Sequence, residues 1–355
     1  MANLFDKIYG CLAASRIGSA MGAVVEGWST ERIEQEYGYL EELKSYRHYY
    51  PRTNWQRPPG TTEDGIERQK LMCQAIIEKK DRITVDDLGA IWLKYLDPVK
   101  IVYKSEPGEV IMLGHLQANI PPCEVGRLND SQHGTNSMSR GGQALGLINA
   151  ADPQSAVDDT RDVSRMMFSP IDVAIDWACV AQAAIAAALA PNATVDSVVN
   201  TACNYITSEA MRKEIERGLD LAHNSIGDPM KLRVEFYKIY NGFGTPYAFA
   251  SANETVTKAL AVLVCTQGDP KLSITTGVNF GRDTDCLAAT SGGFSGALNG
   301  LSNISTEWIE QVDAATLADP YTNTVCTIRQ HAEGIYAALQ CRAEKMQQLA
   351  QIYTA

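Results

Sequence analysis

Three glycines recur every fourth residue near the C-terminus, Gly292, Gly296 and Gly300, within the run from Leu287 to Gly300. On an α-helix such positions stack along one stripe. Each glycine costs about 1 kcal/mol relative to alanine in a helix interior. Three together predict that a neighbouring helix packs tightly against a nearly bare backbone. Immediately upstream runs Asn279-Phe280-Gly281-Arg282-Asp283-Thr284-Asp285-Cys286. Two carboxylates with one residue between them thus stand at the mouth of a rigid helix. Carboxylates clustered on a rigid element are what a hard, oxygen-loving cation needs.

Most of the remaining chain carries helical periodicity. The apolar spacing predicts helices over Ile8 to Val25, Asp64 to Lys79, Asp86 to Leu96, Ser155 to Met167 and Ile171 to Ala190. Further helices are expected over Val195 to Thr207, Ser208 to His223, Met230 to Tyr240, Ala252 to Cys265, Pro270 to Phe280, Leu287 to Leu301, Thr306 to Leu317 and Asn323 to Ile352. Asp152-Pro153 and Ser169-Pro170 read as cap-plus-proline helix starts, and Thr84 to Asp87 offers further caps. Lys44 to Tyr50 is the best strand candidate. Two stretches read as long irregular loops, Tyr46 to Thr62 and Leu113 to Gly142, and loops of that length are usually functional. With no low-complexity linker and no solenoid repeat, the expectation is an all-α fold in a single domain, residues 1–355.

The net charge of −11 argues against a nucleic-acid duplex as partner, and a negative field concentrates divalent cations near an acidic cleft. Nine cysteines, an odd count with no CxxC, fit buried free thiols in a reducing cytoplasm better than disulfides. Asp6 and Lys7 interrupt the place where a signal peptide needs an apolar core. The uncharged stretch from Trp177 to Val195 is broken by Pro191 and reads as a buried helix, not a membrane span.

Thr62-Glu63-Asp64 places a hydroxyl and two carboxylates where a helix begins. Beside Asp283 and Asp285 they would supply up to four carboxylates from two distant segments, a set that repels itself unless a cation such as Mg²⁺ is bound. The same three residues also read as an ordinary helix cap. Glu26 follows the small-residue run Gly18 to Val25 and is either an acid–base group at a cleft or an exposed loop carboxylate. Asp172 and Asp176 lie one turn apart, and the sequence leaves open whether either faces a cleft. His133 precedes Gly134-Thr135-Asn136-Ser137, which is either a turn or a row of backbone amides for a phosphate or ribose. No two histidines have metal-ligand spacing, and neither GxSxG nor a P-loop occurs.

Four segments in order resemble the ADP-ribosylglycohydrolase family. Gly18 to Glu26 is similar to its Gly-Asp-Ala-Leu-Gly-Ala-Pro-x-Glu, and Thr62-Glu63-Asp64-Gly65 to its Thr-Asp-Asp-Thr. Gly134 to Arg140 is similar to its Gly-Asn-Gly-Ala-Ala-Met-Arg. Gly281 to Gly300 is similar to the motif that opens Gly-Gly-Asp-Thr-Asp-Thr and continues with small residues. The resemblance implies a metal-dependent hydrolase with two Mg²⁺ ions at the base of a cleft, held by Thr62, Glu63, Asp64, Asp283 and Asp285. It implies catalytic roles for Asp64, Asp283 and, at the rim, Glu26. Gly134, Thr135, Asn136, Ser137, Met138 and Arg140 would contact an ADP-ribose. The expected activity is cleavage at C1 of a ribose in a small-molecule or protein-linked ADP-ribosylated substrate.

This chain departs from the family pattern at several positions. Ser19 replaces an Asp, Glu63 an Asp, Gly65 a Thr and Cys286 a Thr. A thiol is a poor partner for Mg²⁺, so one of the two ion sites is expected to be weak or remade. The rewritten 135–139 loop, and Met167-Phe168-Ser169-Pro170 where the family has Thr-His, preserve the ribose end better than the nucleotide end. A hydrolase of smaller ribosides such as nucleosides, with Tyr49, Tyr50 or Trp55 stacking a base, and a non-catalytic binder of ADP-ribose or a partner protein are the alternatives.

Overall fold

The computed structural model describes residues 2–48, 53–240 and 250–354. Nine of its helices build or support the site: α1 (Leu4–Gly22), α2 (Thr30–Tyr37), α3 (Asp64–Lys79), α4 (Ser137–Gly141), α5 (Val173–Ala188), α6 (Ala252–Cys265), α7 (Pro270–Val278), α8 (Thr284–Asn299) and α9 (Ile328–Thr354). The glycine stripe of α8 meets α1, which is buried from Lys7 to Gly22. A Cβ on Gly296 would lie 2.2 Å from the Gly10 carbonyl oxygen, and one on Gly292 would lie 2.9 Å from that of Ala14. Helix α1 reciprocates, since a Cβ on Gly18 would lie 2.4 Å from the Ala288 carbonyl oxygen. The two helices touch backbone to backbone, which leaves neither room to slide or tilt.

Helices α5, α6 and α7 pack on the other sides of α8, while α9 packs on α1 and α3 on α9. The face of α1 turned away from α8 carries a buried polar network. Arg16 donates to the Gln69 amide oxygen at 3.0 Å and meets Nδ1 of His331 at 2.9 Å. Gln69 in turn donates to Gln143 at 2.7 Å. The buried Lys70–Glu67 pair within α3, at 2.6 Å, meets the Thr322 hydroxyl from both sides, and the buried Lys104–Asp319 pair ties the helix Pro98–Lys104 to the same chain ahead of α9.

The predicted helix over Ala252 to Cys265 is found with those bounds, and Thr84 and Asp152 cap their helices as expected. Three expectations are corrected. The helix expected after Ser169-Pro170 begins at Val173 instead, because Asp172 accepts the Ala174 N–H and is the cap. The strand expected over Lys44 to Tyr50 reduces to an isolated bridge between Tyr46 and Arg57, and Tyr49 and Tyr50 lie outside the described residues. The stretch from Leu113 to Gly142 holds helices at Pro107–Gln117, Pro122–Leu128 and Ser137–Gly141; two of them run seven residues or fewer, too short to show a period. All nine cysteines are free. Among the described residues no helix is long and apolar enough to cross a membrane.

Candidate active site

The α1–α8 contact fixes where the acidic side chains stand. The last glycine of α1, Gly22, lies so close to α8 that a Cβ there would sit 2.5 Å from the Asp285 Cα. The Thr284 hydroxyl donates to the Gly22 carbonyl at 2.8 Å. Just before α8 the backbone turns left-handed twice, at Gly281 (φ +75°) and Arg282 (φ +63°). That conformation costs a non-glycine residue roughly 1–2 kcal/mol. Arg282 is held there by a two-pronged ion pair with Glu254 of α6, at 2.9 Å from each of two nitrogens. Its backbone carries a second clamp: the Arg282 N–H donates to the Trp28 carbonyl and the Gly27 N–H to the Arg282 carbonyl, each at 2.8 Å. The segment bearing Glu26 is thereby stapled to the residue preceding Asp283.

Glu26, Asp64, Asp283, Cys286, Asn136 and Arg140 line one cleft of about 220 Å³. Arg140, almost fully buried, stands at its base. Its guanidinium pairs with Asp285 at 2.7 Å and Asp64 at 3.3 Å, and donates to the Cys286 sulfur and the Ser19 hydroxyl at 3.0 Å each. Gly65 makes this possible, since a Cβ there would fall 2.2 Å from the Arg140 Nε. Three departures from the family pattern, Ser19, Gly65 and Cys286, therefore meet at one guanidinium. Arg68 grips the other oxygen of Asp64 at 2.8 Å and is itself held by Glu109 at 2.7 Å. The Asn136 amide donates to Asp283 at 2.7 Å and to Thr255 at 2.8 Å.

The predicted site residues divide. Asp64, Asp283, Glu26, Thr135, Asn136, Ser137 and Arg140 border the cleft, with Asp285 buried beside Asp283. Glu63 does not join them, because its carboxylate is taken by Arg57 and the Tyr46 hydroxyl, with His48 at 3.6 Å. Thr62 is buried, and its carbonyl accepts from Lys104 at 2.6 Å. Met138 is buried away from the cleft, its carbonyl accepting from Gln182 at 3.0 Å. Gly134 edges a neighbouring pocket of about 310 Å³ lined by Val173, Trp177 and Met211. The row of backbone amides expected after His133 is already engaged: Gly134 N–H by Asp172, Thr135 N–H by Gln132 and Asn136 N–H by Ala250. Asp172, left open by the sequence, is buried and also meets His133 at 3.0 Å, so it shapes this loop. Asp176 turns instead to Arg161 and Thr207. Glu109 and Glu254 had no sequence signal, because each acts through a partner remote in the chain; Arg68 had one, standing four residues after Asp64 on the same helix.

Asp283, Asp285 and Cys286 bring ligand atoms within 4.8 Å of one another. One carboxylate oxygen of Asp283 and one of Asp285 are buried without a hydrogen-bond partner. An orphaned anionic oxygen is expensive in the interior, and a hard cation resolves both at once. Burial, with Asp283 beside it, pushes the Asp285 carboxyl well up despite Arg140. Burial, then Asp285 and Asp283, does the same to Glu26. Asp64 goes the other way: against its burial, Arg68 and Arg140 hold it well below the usual carboxylate range. Burial pushes the Cys286 thiol well up, and its sulfur already accepts from Arg140. The donor set fits a hard divalent ion at the carboxylates.

The fold recurs beyond this chain. A solved structure described as an "ADP-ribosylglycohydrolase-related protein complex" superposes with a TM-score of 0.65 at 16% identity, covering 96% of this chain and 98% of its own. The Escherichia coli K12 protein YegU, itself described as uncharacterized, is 25% identical over 345 residues, which is 93% of this chain and 99% of YegU. The sequence profile of the ADP-ribosylglycohydrolases matches residues 1–343. With motifs, fold and profile in agreement over nearly its whole length, the chain belongs to the ADP-ribosylglycohydrolase family, a metal-dependent group of glycosyl hydrolases.

Proposed function

We propose that the protein is a Mg²⁺-dependent hydrolase of the bond at C1 of a ribose, acting on an ADP-ribosylated substrate. The observation that carries this is the convergence of Glu26, Asp64, Asp283 and Asp285 from three chain segments, with two buried carboxylate oxygens left unpartnered. Asp283 and Asp285 would hold the ion, with Asp64 across the cleft. Bound there, a divalent cation supplies Lewis-acid polarisation at the reacting centre. Departure of a glycosidic leaving group builds positive charge on the ribose, and the fixed carboxylates stabilise it. Arg140 and Asn136 keep Asp285 and Asp283 from rotating, so this field is in place before the substrate arrives. Glu26 forms the wall on the side of the Trp28 segment and is the acid–base candidate for the leaving group. The apolar pocket beyond Gly134 offers room for an adenine ring.

One observation favours a second reading, a smaller riboside. The engaged amides of Gly134, Thr135 and Asn136 offer no backbone cradle for a diphosphate. Incubating the protein with ADP-ribosylated substrates that carry an arginine, a serine or a nucleobase at C1 of the ribose, and with nucleosides, each with Mg²⁺ or EDTA, tests both. Release of ADP-ribose that EDTA stops is the expected result. Turnover of nucleosides alone moves the assignment to the second reading, and no turnover of any substrate with Mg²⁺ removes both.

A further inference from the structure

Glu26 borders two cavities. On one side is the acidic cleft; on the other is a pocket of about 390 Å³ whose lining includes Trp28, Arg32, Tyr37, Arg47 and Gln56. Resting on the reading that C1 of a ribose reacts in the cleft, we propose that this second pocket is the leaving-group subsite, and that it takes a flat, neutral or acidic nitrogen heterocycle. The substrate class is thus an N-riboside of a nucleobase-like ring and not a riboside of a cationic group such as a guanidine.

The platform is aromatic and fixed. Trp28 and Tyr37 are stacked, with ring centroids 6.0 Å apart and planes at 10°. The Trp28 backbone is hydrogen-bonded to Arg282, the neighbour of Asp283, so the ring is positioned from the same backbone as the acidic centre. Such pre-positioning lowers the ordering cost of binding. The Arg32 guanidinium lies 3.6 Å from the Trp28 centroid. It is exposed and has no ion-pair partner among the described residues, so it can yield that face to a ring or stack on the ring's outer side. Aromatic and guanidinium planes are the surfaces on which bases stack, worth roughly 1–3 kcal/mol per base.

Charge sets the selectivity. Arg32 and Arg47 are the cations of the pocket, and Glu26 is its one carboxylate. In a chain of net charge −11 this is a local reversal. Two cations repel a guanidinium and attract the electron-rich edge of a heterocycle, and they favour departure of a leaving group that carries off the bonding electron pair. Gln56, whose side chain is aligned by Arg47 at 3.2 Å and by the Ser45 hydroxyl at 3.0 Å, adds an amide for the hydrogen-bonding edge.

Calorimetric titration of the full chain with uracil, orotate and methylguanidine tests this without turnover. Orotate is expected to bind at least about ten-fold more tightly than methylguanidine, which is about 1.4 kcal/mol. Trp28→Leu is expected to weaken uracil and orotate about ten-fold, and Arg47→Glu to weaken orotate while strengthening methylguanidine. Thermal melts establish that each variant is folded, and Arg47, exposed on the surface, supplies the test should Trp28→Leu not fold. Equal affinity for orotate and methylguanidine, no binding of either ring, or variants that bind like the parent would each overturn the proposal. A parent that binds rings here but turns over no riboside would remove the hydrolase reading, and with it the leaving-group role, and leave a ring-binding pocket. Hydrolysis with no ring binding would do the reverse.

Discussion

Thr62-Glu63-Asp64 and Asp283-Thr284-Asp285 look alike as strings, each an acidic pair with a threonine at the start of a buried helix. They fold into different things. In the second, the carboxylates are two residues apart, and the intervening Thr284 turns back to the Gly22 carbonyl. Asp283 caps α8 and Asp285 sits in its first turn, so both acids stand at one end of the helix and each keeps a buried oxygen unpartnered. In the first, the acids are adjacent, and extended backbone at Glu63 sends neighbouring side chains to opposite sides. Asp64 enters the cleft, while Glu63 pairs with Arg57 and Tyr46. One motif spends both carboxylates on the site. The other divides them between site and scaffold.

The sharpest way to break this contrast is to neutralise one acid of each motif. Asp283→Asn is expected to abolish Mn²⁺ binding in calorimetry and to lower turnover by at least about 100-fold, the scale of losing a positioned charge at a reacting centre. Glu63→Gln leaves Arg57 buried beside a neutral partner, for which the expected cost is about 3–5 kcal/mol of stability in a denaturant titration. Its Mn²⁺ affinity should stay within about three-fold of the parent. If Glu63→Gln loses the ion as completely as Asp283→Asn, Glu63 is a ligand after all and the two motifs are equivalent.

A smaller effect probes the glycine that follows Asp64. Gly65→Ala would force a Cβ to within 2.2 Å of Arg140, and overpacking of this kind costs about 1–3 kcal/mol. Because the displaced atoms belong to the guanidinium that pairs with Asp64 and Asp285, Mn²⁺ affinity should change as well. Gly114→Ala is the control: a Cβ there meets nothing within 4 Å, and the expected change is neutral or stabilising by up to about 1 kcal/mol. Equal melting points for Gly65→Ala and the parent would show that Arg140 yields freely and that the carboxylates do not depend on its position.

What the sequence revealed follows the distance over which each feature acts. That some helix packs closely on α8 was legible because four-residue glycine spacing is a local signal whose physical cause is the partner helix; that the partner is α1 was not. Asp283, Asp285, Asp64 and Glu26 were legible through motifs at helix boundaries. The diversion of Glu63 was not, because its partners Tyr46 and Arg57 lie in a loop with no periodicity to place them. The fork between Arg282 and Glu254 escaped for a similar reason: an arginine where the family motif has glycine signals a departure but names no partner. Short helices at Pro122–Leu128 and Ser137–Gly141 were missed because one or two turns carry no stripe.

The polar face of α1 shows the same limit and supplies the last test, one that leaves the acidic cleft untouched. Arg16, Gln69 and His331 lie 53 and 315 residues apart in sequence, yet Arg16 donates to both. Burial first, then Arg16 and Lys70, hold the His331 imidazole well below its ordinary value of 6.5. The folded protein therefore keeps His331 neutral where the unfolded chain takes up a proton. Unfolded chains bind more protons below about pH 6.5, so stability is full above that pH and falls as acid is added, by up to about 1.4 kcal/mol per unit. Denaturant titrations between pH 7.0 and 5.0 should show this slope in the parent. His331→Gln keeps an acceptor for Arg16 without a titrating ring, so its slope should be shallower by about one proton. Parallel slopes in the two proteins would mean that Arg16 tolerates a charged imidazole, and that the buried face of α1 is held by packing alone.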